Sequence, residues 1–215
     1  MRLRPSGRQG PVAASLDAFR NYQLTEAWTW EHLALTRARR VAGCPDLGAE
    51  VEAFRRVLLP EKGRRADVRA DVAAMRARLA EAKPGDSRWE AKDGPGRLQD
   101  IELAAQSCAL LAGSHAHRVE AQLLAGRRSG VLDKAAEAAL LEAYRLCWRM
   151  QCSSRLLADR VGEPQALGLG GQALILRETG AKDLDALAQA LQAQAETAAR
   201  VITELLDSGL APGQS

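Results

Sequence analysis

From Ser15 onward the apolar residues recur every three or four positions rather than every two, the spacing of amphipathic helices and not of strands. Ser15 is the expected N-cap of a short helix to about Tyr22. Thr25 is the expected cap of a longer one through EAWTWEHLALTRARRVA, closed by Gly43 and Pro45. A third expected helix runs from about Asp46 to Leu58, with Leu47, Val51, Phe54 and Leu58 on one face and Pro60 as its stop. A fourth covers about Ala66–Ala82, where Val68, Val72, Met75, Leu79 and Ala82 keep the rhythm of a packed bundle helix. The stretch KPGDSRWEAKDGPG then reads as a long loop. Helices are expected again from about Leu98 or Asp100 to 112, and near 116–125, 133–159 and 172–178. On the long one behind Asp133, the residues Leu140, Tyr144, Cys147, Trp148 and Gln151 mark one side. Asp183 caps a last helix to about Asp207, with Leu184, Leu187, Leu191, Ala195, Ala198, Ile202 and Leu205 as its stripe.

The first fourteen residues break this pattern. Arg2-Leu3-Arg4 alternates like a very short strand, and Pro5, Gly7, Gly10 and Pro11 then impose loop geometry. So short a strand needs a sheet to join, and no second strand signal follows. The tail SGLAPGQS reads as frayed. The expected fold is therefore mostly α, a helical bundle behind a short N-terminal strand.

Composition agrees. Alanine and leucine make up about a third of the 215 residues, whereas isoleucine, valine and threonine together are under a tenth. That balance favours helices over sheets. The net charge of +3 is too small to imply a nucleic-acid partner, although residues 1–70 carry 13 basic and 8 acidic side chains, a net of +5. No run of about 18 apolar residues marks a membrane span, and no apolar segment follows Met1–Gly10 to make a secretory signal. The expectation is a cytoplasmic chain with no membrane contact. Its four cysteines (Cys44, Cys108, Cys147 and Cys152) match no zinc spacing and are expected to be reduced packing residues.

Three stretches carry possible chemistry. In RLRPSGRQGP, two arginines on one strand face and a Ser-Gly turn suit anionic oxygens, against a plain arginine-rich loop. In EAWTWEHLALTRAR, Trp28 and Trp30 fall on different faces of a helix, as in a helix held between two packed units. His32 there is either a titrating or ligand-binding ring or, more commonly for a lone helical histidine, a hydrogen-bonded packing residue. In WEAKDGPGRLQDIEL, Lys92, Asp93, Arg97, Asp100 and Glu102 crowd a glycine-rich turn that enters a helix. Asp100 and Glu102 lie about 200° apart around a helix and cannot chelate one ion, so the simpler expectation is Asp100 as N-cap and Glu102 as an ion-pair partner. No Ser-His-Asp set, Walker A loop, HExxH or Rossmann glycine pattern occurs.

Taken together, RLRPSG, EAWTWEH and TRAR, followed by DVAAMRARLAEAKPG, WEAK and GPGRLQDIEL, closely resemble the glutamine synthetase adenylyltransferase family. The resemblance runs from Met1 to about Asp207, by helical character more than by motif over roughly the last 90 residues. Such enzymes attach AMP to a tyrosine of glutamine synthetase and remove it by phosphorolysis, controlling nitrogen assimilation. The resemblance implies that residues 1–45 are the end of a polymerase-β-type nucleotidyltransferase domain, that 46–208 are the helical bundle shared with PII uridylyltransferase, and that 209–215 are a disordered tail. It implies Mg²⁺ and ATP as the family's cofactors, and glutamine synthetase and the PII signalling protein as partners.

In the family, two carboxylates of a Gly-Ser-x-x-Asp-x-Asp element and a third aspartate, which would immediately precede Met1, hold the metal. None of the three occurs in this sequence, so no catalytic or metal residue is assigned. The chain by itself, a C-terminal piece of the family's enzyme, is expected to be inactive and to bind neither cofactor tightly. Arg2 and Arg4 would continue the strand that bears the third aspartate and Ser6 and Gly7 would form its turn, which makes these four the implied nucleotide-binding residues. Trp28, Trp30, His32, Arg37, Lys92, Asp100 and Glu102 are implied interdomain or structural motif residues. Where the family often reads Gly-Gly-Leu-Val-Asp-Ile-Glu-Phe, this chain reads Gly96-Arg97-Leu98-Gln99-Asp100-Ile101-Glu102-Leu103, which keeps the Asp-Ile-Glu centre. The alternatives are a non-catalytic helical module that binds glutamine synthetase or PII, and a generic helical protein that only mimics the motifs. Without the sheet, Leu3, Val12 and Trp28 lose partners, so the first 45 residues are expected to expose apolar surface.

Overall fold

A computed structural model describes residues 13–65, 67–85, 87–158 and 163–208. The expected strand, the residues Arg2, Leu3, Arg4, Ser6, Gly7 and Val12, and the tail 209–215 lie outside the described residues. Among those described there are nine α-helices, one 3-10 turn and no strand, in keeping with the mostly α expectation. The chain divides into two units, and the division falls inside α4 (Val68–Ala82) and α5 (Leu98–Leu111). Unit 1 comprises Met1–Val72 with Ala105–Leu132, and unit 2 comprises Ala73–Ala104 with Asp133–Ser215.

Unit 1 contains α1 (Leu16–Thr25), α2 (Thr29–Thr36), α3 (Pro45–Gly63) and α6 (Val119–Arg128), besides its shares of α4 and α5. The Ser15 hydroxyl accepts the Ala18 N–H at 3.2 Å, the expected cap. Thr25 does not start a helix. It is the last residue of α1, its hydroxyl turned back to the Asn21 carbonyl at 2.8 Å, and α2 begins four residues later behind Trp28. Pro60 does not end α3 either, because a proline forfeits one N–H but keeps a helical φ, and the helix runs on to Gly63. The buried face of α3 is Arg55, Leu58, Leu59 and Gly63, so of the expected face Leu58 is buried, Val51 and Phe54 are half-buried and Leu47 is exposed. Gly63 is required there. A Cβ on it would stand 1.9 Å from the Leu110 carbonyl oxygen.

Unit 2 is built on α7 (Lys134–Leu157), α8 (Leu169–Thr179) and α9 (Leu184–Asp207), with a 3-10 turn at Pro164–Ala166. Asp133 and Asp183 cap α7 and α9 as expected, each accepting an N–H three residues on at 2.7 Å. The α9 stripe from Leu187 to Leu205 is buried as its spacing predicts. On α7 the buried side is Leu140, Ala143, Cys147 and Met150, while Trp148 is exposed and stacked on Tyr144 with ring centroids 6.1 Å apart. The loop 83–97 supplies the largest piece of this core. Trp89 is 2 % exposed and packs with Leu98, Cys147, Met150, Ile175, Leu187 and Leu191.

Gly96 is where the loop enters α5. Its φ of 67° is left-handed, and a Cβ there would fall 1.8 Å from the Ala195 carbonyl oxygen of α9. Left-handed backbone alone costs a non-glycine residue about 1–2 kcal/mol, and the clash adds to it. Gly96→Ala is therefore expected to destabilise unit 2 by about 2 kcal/mol or more, read as a lowered midpoint in urea.

Candidate functional site

The described motif residues gather in two polar clusters, one in each unit. In unit 1 the start of α2 is fixed from below by Glu31. Its carboxylate is buried and accepts the Tyr22 hydroxyl at 2.9 and 3.0 Å and the Trp28 N–H at 3.0 Å. A buried carboxylate satisfied in this way carries no penalty of unpaired burial. Thr29 adds a hydrogen bond from its hydroxyl to Asp71. Trp28 is thus the cap residue and not a helical one, and its side chain is 71 % exposed, in keeping with the expected apolar surface. Trp30 is half-buried. His32 is fully buried, with Nε2 3.1 Å from the Gln23 carbonyl oxygen, so this nitrogen donates and the residue packs as the commoner reading expects. Burial holds its pKa below the ordinary value; the Gln23 carbonyl raises it, and Lys62 and Arg65 lower it further. Arg37 is exposed at the end of α2, where its backbone N–H donates to Ala34 at 3.2 Å.

Beneath the end of α2 lies Arg55, which the sequence reading missed. It is 1 % exposed and joins three parts of the unit. Nε donates to Glu52 at 2.9 Å and Nη1 to the Thr36 carbonyl at 3.2 Å, while the two hydrogens of Nη2 serve the His115 carbonyl at 2.8 Å and His117 Nε2 at 2.9 Å, with Glu52 standing 3.2 Å from the same nitrogen. Burial raises the Glu52 pKa, but the hydrogen bonds from Arg55 and Arg56 outweigh this and hold it below the ordinary value. The signal for Arg55 was its spacing, four residues after Val51 and three before Leu58, which puts a cation in the apolar stripe of α3.

In unit 2, Asp100 is the third residue of α5 and not its cap. From there its carboxylate reaches back to the Gly96 N–H at 2.7 Å, satisfying a donor at the helix entrance. It also takes Arg76 Nε at 2.9 and 3.1 Å, while Arg76 Nη1 donates to Thr203 at 2.7 Å and Nη2 to the Ala199 carbonyl at 3.1 Å. This clamp ties the turn at 94–97, α4 and α9 together and borders a half-open cleft of about 360 Å³ walled by Ala73, Ala77, Leu79, Pro95 and Leu206. Lys92 is exposed, its N–H bound to Glu90 at 2.7 Å, and Glu102 is half-buried on α5. The clamp contains no nucleophile beside a base.

The carboxylates do not fit Mg²⁺. Asp100 is already shared between a guanidinium and an N–H, and no group of three or more His, Cys, Asp or Glu among the described residues is placed to hold a metal ion. Burial pushes the Cys108 and Cys147 thiols up to about 12 and about 11, so both stay protonated and serve packing. No helix among the described residues is long and apolar enough to cross a membrane.

Two family models match the chain. One, glutamate-ammonia ligase adenylyltransferase, matches residues 1–54. The other, GlnD PII-uridylyltransferase, matches residues 67–208. A bifunctional glutamine synthetase adenylyltransferase/adenylyl-removing enzyme of Rhizobium meliloti (strain 1021) is 45% identical over 163 residues, 68% of this chain and 16% of the relative. Enzymes of the same name from Rhodopseudomonas palustris (strain ATCC BAA-98 / CGA009) and Bradyrhizobium diazoefficiens are 36% and 34% identical. They cover 97% and 100% of this chain, and 22% of each relative is matched. The chain spans about a fifth of the length of the curated relatives it matches. With both models aligned end to end along it and relatives of one name matching over nearly its whole length, the chain belongs to the glutamine synthetase adenylyltransferase family.

Proposed function

We propose that this chain is the C-terminal part of a bifunctional glutamine synthetase adenylyltransferase. The whole enzyme transfers AMP from ATP to a tyrosine of glutamine synthetase in the cytoplasm, with Mg²⁺, and removes it by phosphorolysis under the influence of PII. The observation that carries this reading is the match of nearly the whole of this chain, at 34–36% identity, to relatives whose name states both activities. Arg2, Arg4, Ser6 and Gly7 fall in the segment matched by the adenylyltransferase model and are proposed to face the ATP phosphates. The metal supplies charge stabilisation at the transferring phosphorus when bound. None of its family ligands occurs in these 215 residues, so the chain alone is proposed to be inactive.

The test is a pair of assays with labelled ATP, Mg²⁺ and glutamine synthetase. The chain alone is expected to transfer no AMP. The Rhizobium meliloti relative is expected to keep transferring AMP when these residues replace its own matching segment. Label transferred by the isolated chain overturns the inactivity. A folded but dead chimera overturns the assignment. A second reading, a non-catalytic module that binds glutamine synthetase or PII, draws on the exposed apolar side chains of Trp28 and Leu24, 71 % and 46 % exposed. Calorimetric titration of the chain with each partner decides it, and no heat with either removes it.

A further inference from the structure

His117 meets Arg55 with Nε2 2.9 Å from Nη2. A guanidinium has donors and no acceptor, so Nε2 must accept, the ring must be neutral, and its proton must sit on Nδ1. That Nδ1 is shielded from solvent and meets no hydrogen-bond partner, as does Nδ1 of His115 two residues before it. The same Nη2 holds the His115 carbonyl. Two of the contacts of Arg55 therefore fasten one short segment, Ser114–Arg118, which leads from the end of α5 into α6.

We propose that His117 is an acid-operated latch: in its neutral form it fastens the segment between α5 and α6 to Arg55 of α3, and on protonation it releases that segment. An imidazolium at this position offers a hydrogen where the guanidinium needs a lone pair, and it places a second cation against the first. The charged groups around the ring leave little to offset this. Arg55 and Arg56 face it from α3 and Arg39 from the segment after α2, all three opposing protonation. Glu52 alone favours it, and that carboxylate is already shared by Arg55 and Arg56. Burial first, then these arginines, holds the ring below the ordinary histidine value. The latch also has somewhere to report. Arg55 and Glu52 line a cleft of about 560 Å³ together with Arg39, Arg40 and Cys44, so release changes the set of donors that this cleft presents.

The sign follows from the lowered value. The open segment has an ordinary histidine and the closed one a suppressed histidine, so closure is complete above about pH 6.5. It weakens by up to about tenfold per pH unit down to the folded-state value, and then levels. The experiment is a histidine nitrogen titration by NMR on the full chain, with amide hydrogen-exchange protection of residues 114–118 measured across the same range. The expected results are an Nδ1–H tautomer for His117 at pH 7.5 and a fall in protection that begins at about pH 6.5 and levels once the folded-state ring has titrated. In His117→Gln, which keeps an acceptor and cannot titrate, the fall should vanish, while the His32 titration remains as an internal control. An Nε2–H tautomer, protection that ignores the titration, or an unchanged fall in His117→Gln would each overturn the latch.

Discussion

Trp89→Ala is expected to cost unit 2 about 3–5 kcal/mol, the range for emptying the site of a large buried aromatic. The side chain comes from a loop, yet it stands among Cys147, Met150, Ile175, Leu187 and Leu191, where α7, α8 and α9 meet. Alanine leaves a void that these helices cannot close without giving up their own contacts. The loop 83–97 also loses its only large buried apolar anchor among the described residues. Two readouts distinguish this from a local effect. The urea midpoint should fall, and amides across α7 and α9 should lose protection along with those of the loop. Trp89→Phe should restore most of the loss. A change under 1 kcal/mol would mean that the indole is not buried as described.

Arg55→Met is expected to destabilise unit 1 by about 3 kcal/mol. Methionine fills much of the same volume, so the loss reports the hydrogen bonds rather than a cavity. The Thr36 and His115 carbonyls would lose the Arg55 donor, and the Glu52 carboxylate would keep only Arg56. The figure sits at the low end for breaking a buried pair, since Glu52 keeps contact with water and with Arg56. Removing both partners in Arg55→Met/Glu52→Leu should recover part of the loss, measured as a double-mutant cycle in denaturant. An additive double variant would show that the ion pair contributes nothing of its own.

These two residues mark where the sequence stopped being legible. The α9 stripe and the caps Asp133 and Asp183 could be read because each depends on neighbours three or four positions away. Asp100 was recognised as part of a helix entrance, but its place two residues inside followed from Arg76 and Gly96 pulling on the same carboxylate. A long glycine-rich stretch looks like an unpacked loop until the core that receives Trp89 is known. Likewise, an arginine in an apolar stripe looks like a flaw in the pattern until three acceptors from distant segments converge on it. The motif set that carried the family resemblance served as a better guide to ancestry than to geometry. Its most conspicuous residue, Trp28, proved to be an exposed cap held by a buried glutamate.

The interleaving of the two units has a consequence for how such a chain can be cut or recombined. The two family matches part between residues 54 and 67, which looks like a natural joint in the gene. The seam of ancestry is not the seam of folding. Residues 105–132 lie deep within the second match, yet they complete the same unit as residues 1–72. Scission in that joint after Gly63 would give two polypeptides that each carry part of one unfinished core, and would part Gly63 of α3 from the Leu110 carbonyl it approaches. A recombinant made at the joint would have to match residues 105–132 from one parent to residues 1–54 from the other within a single unit.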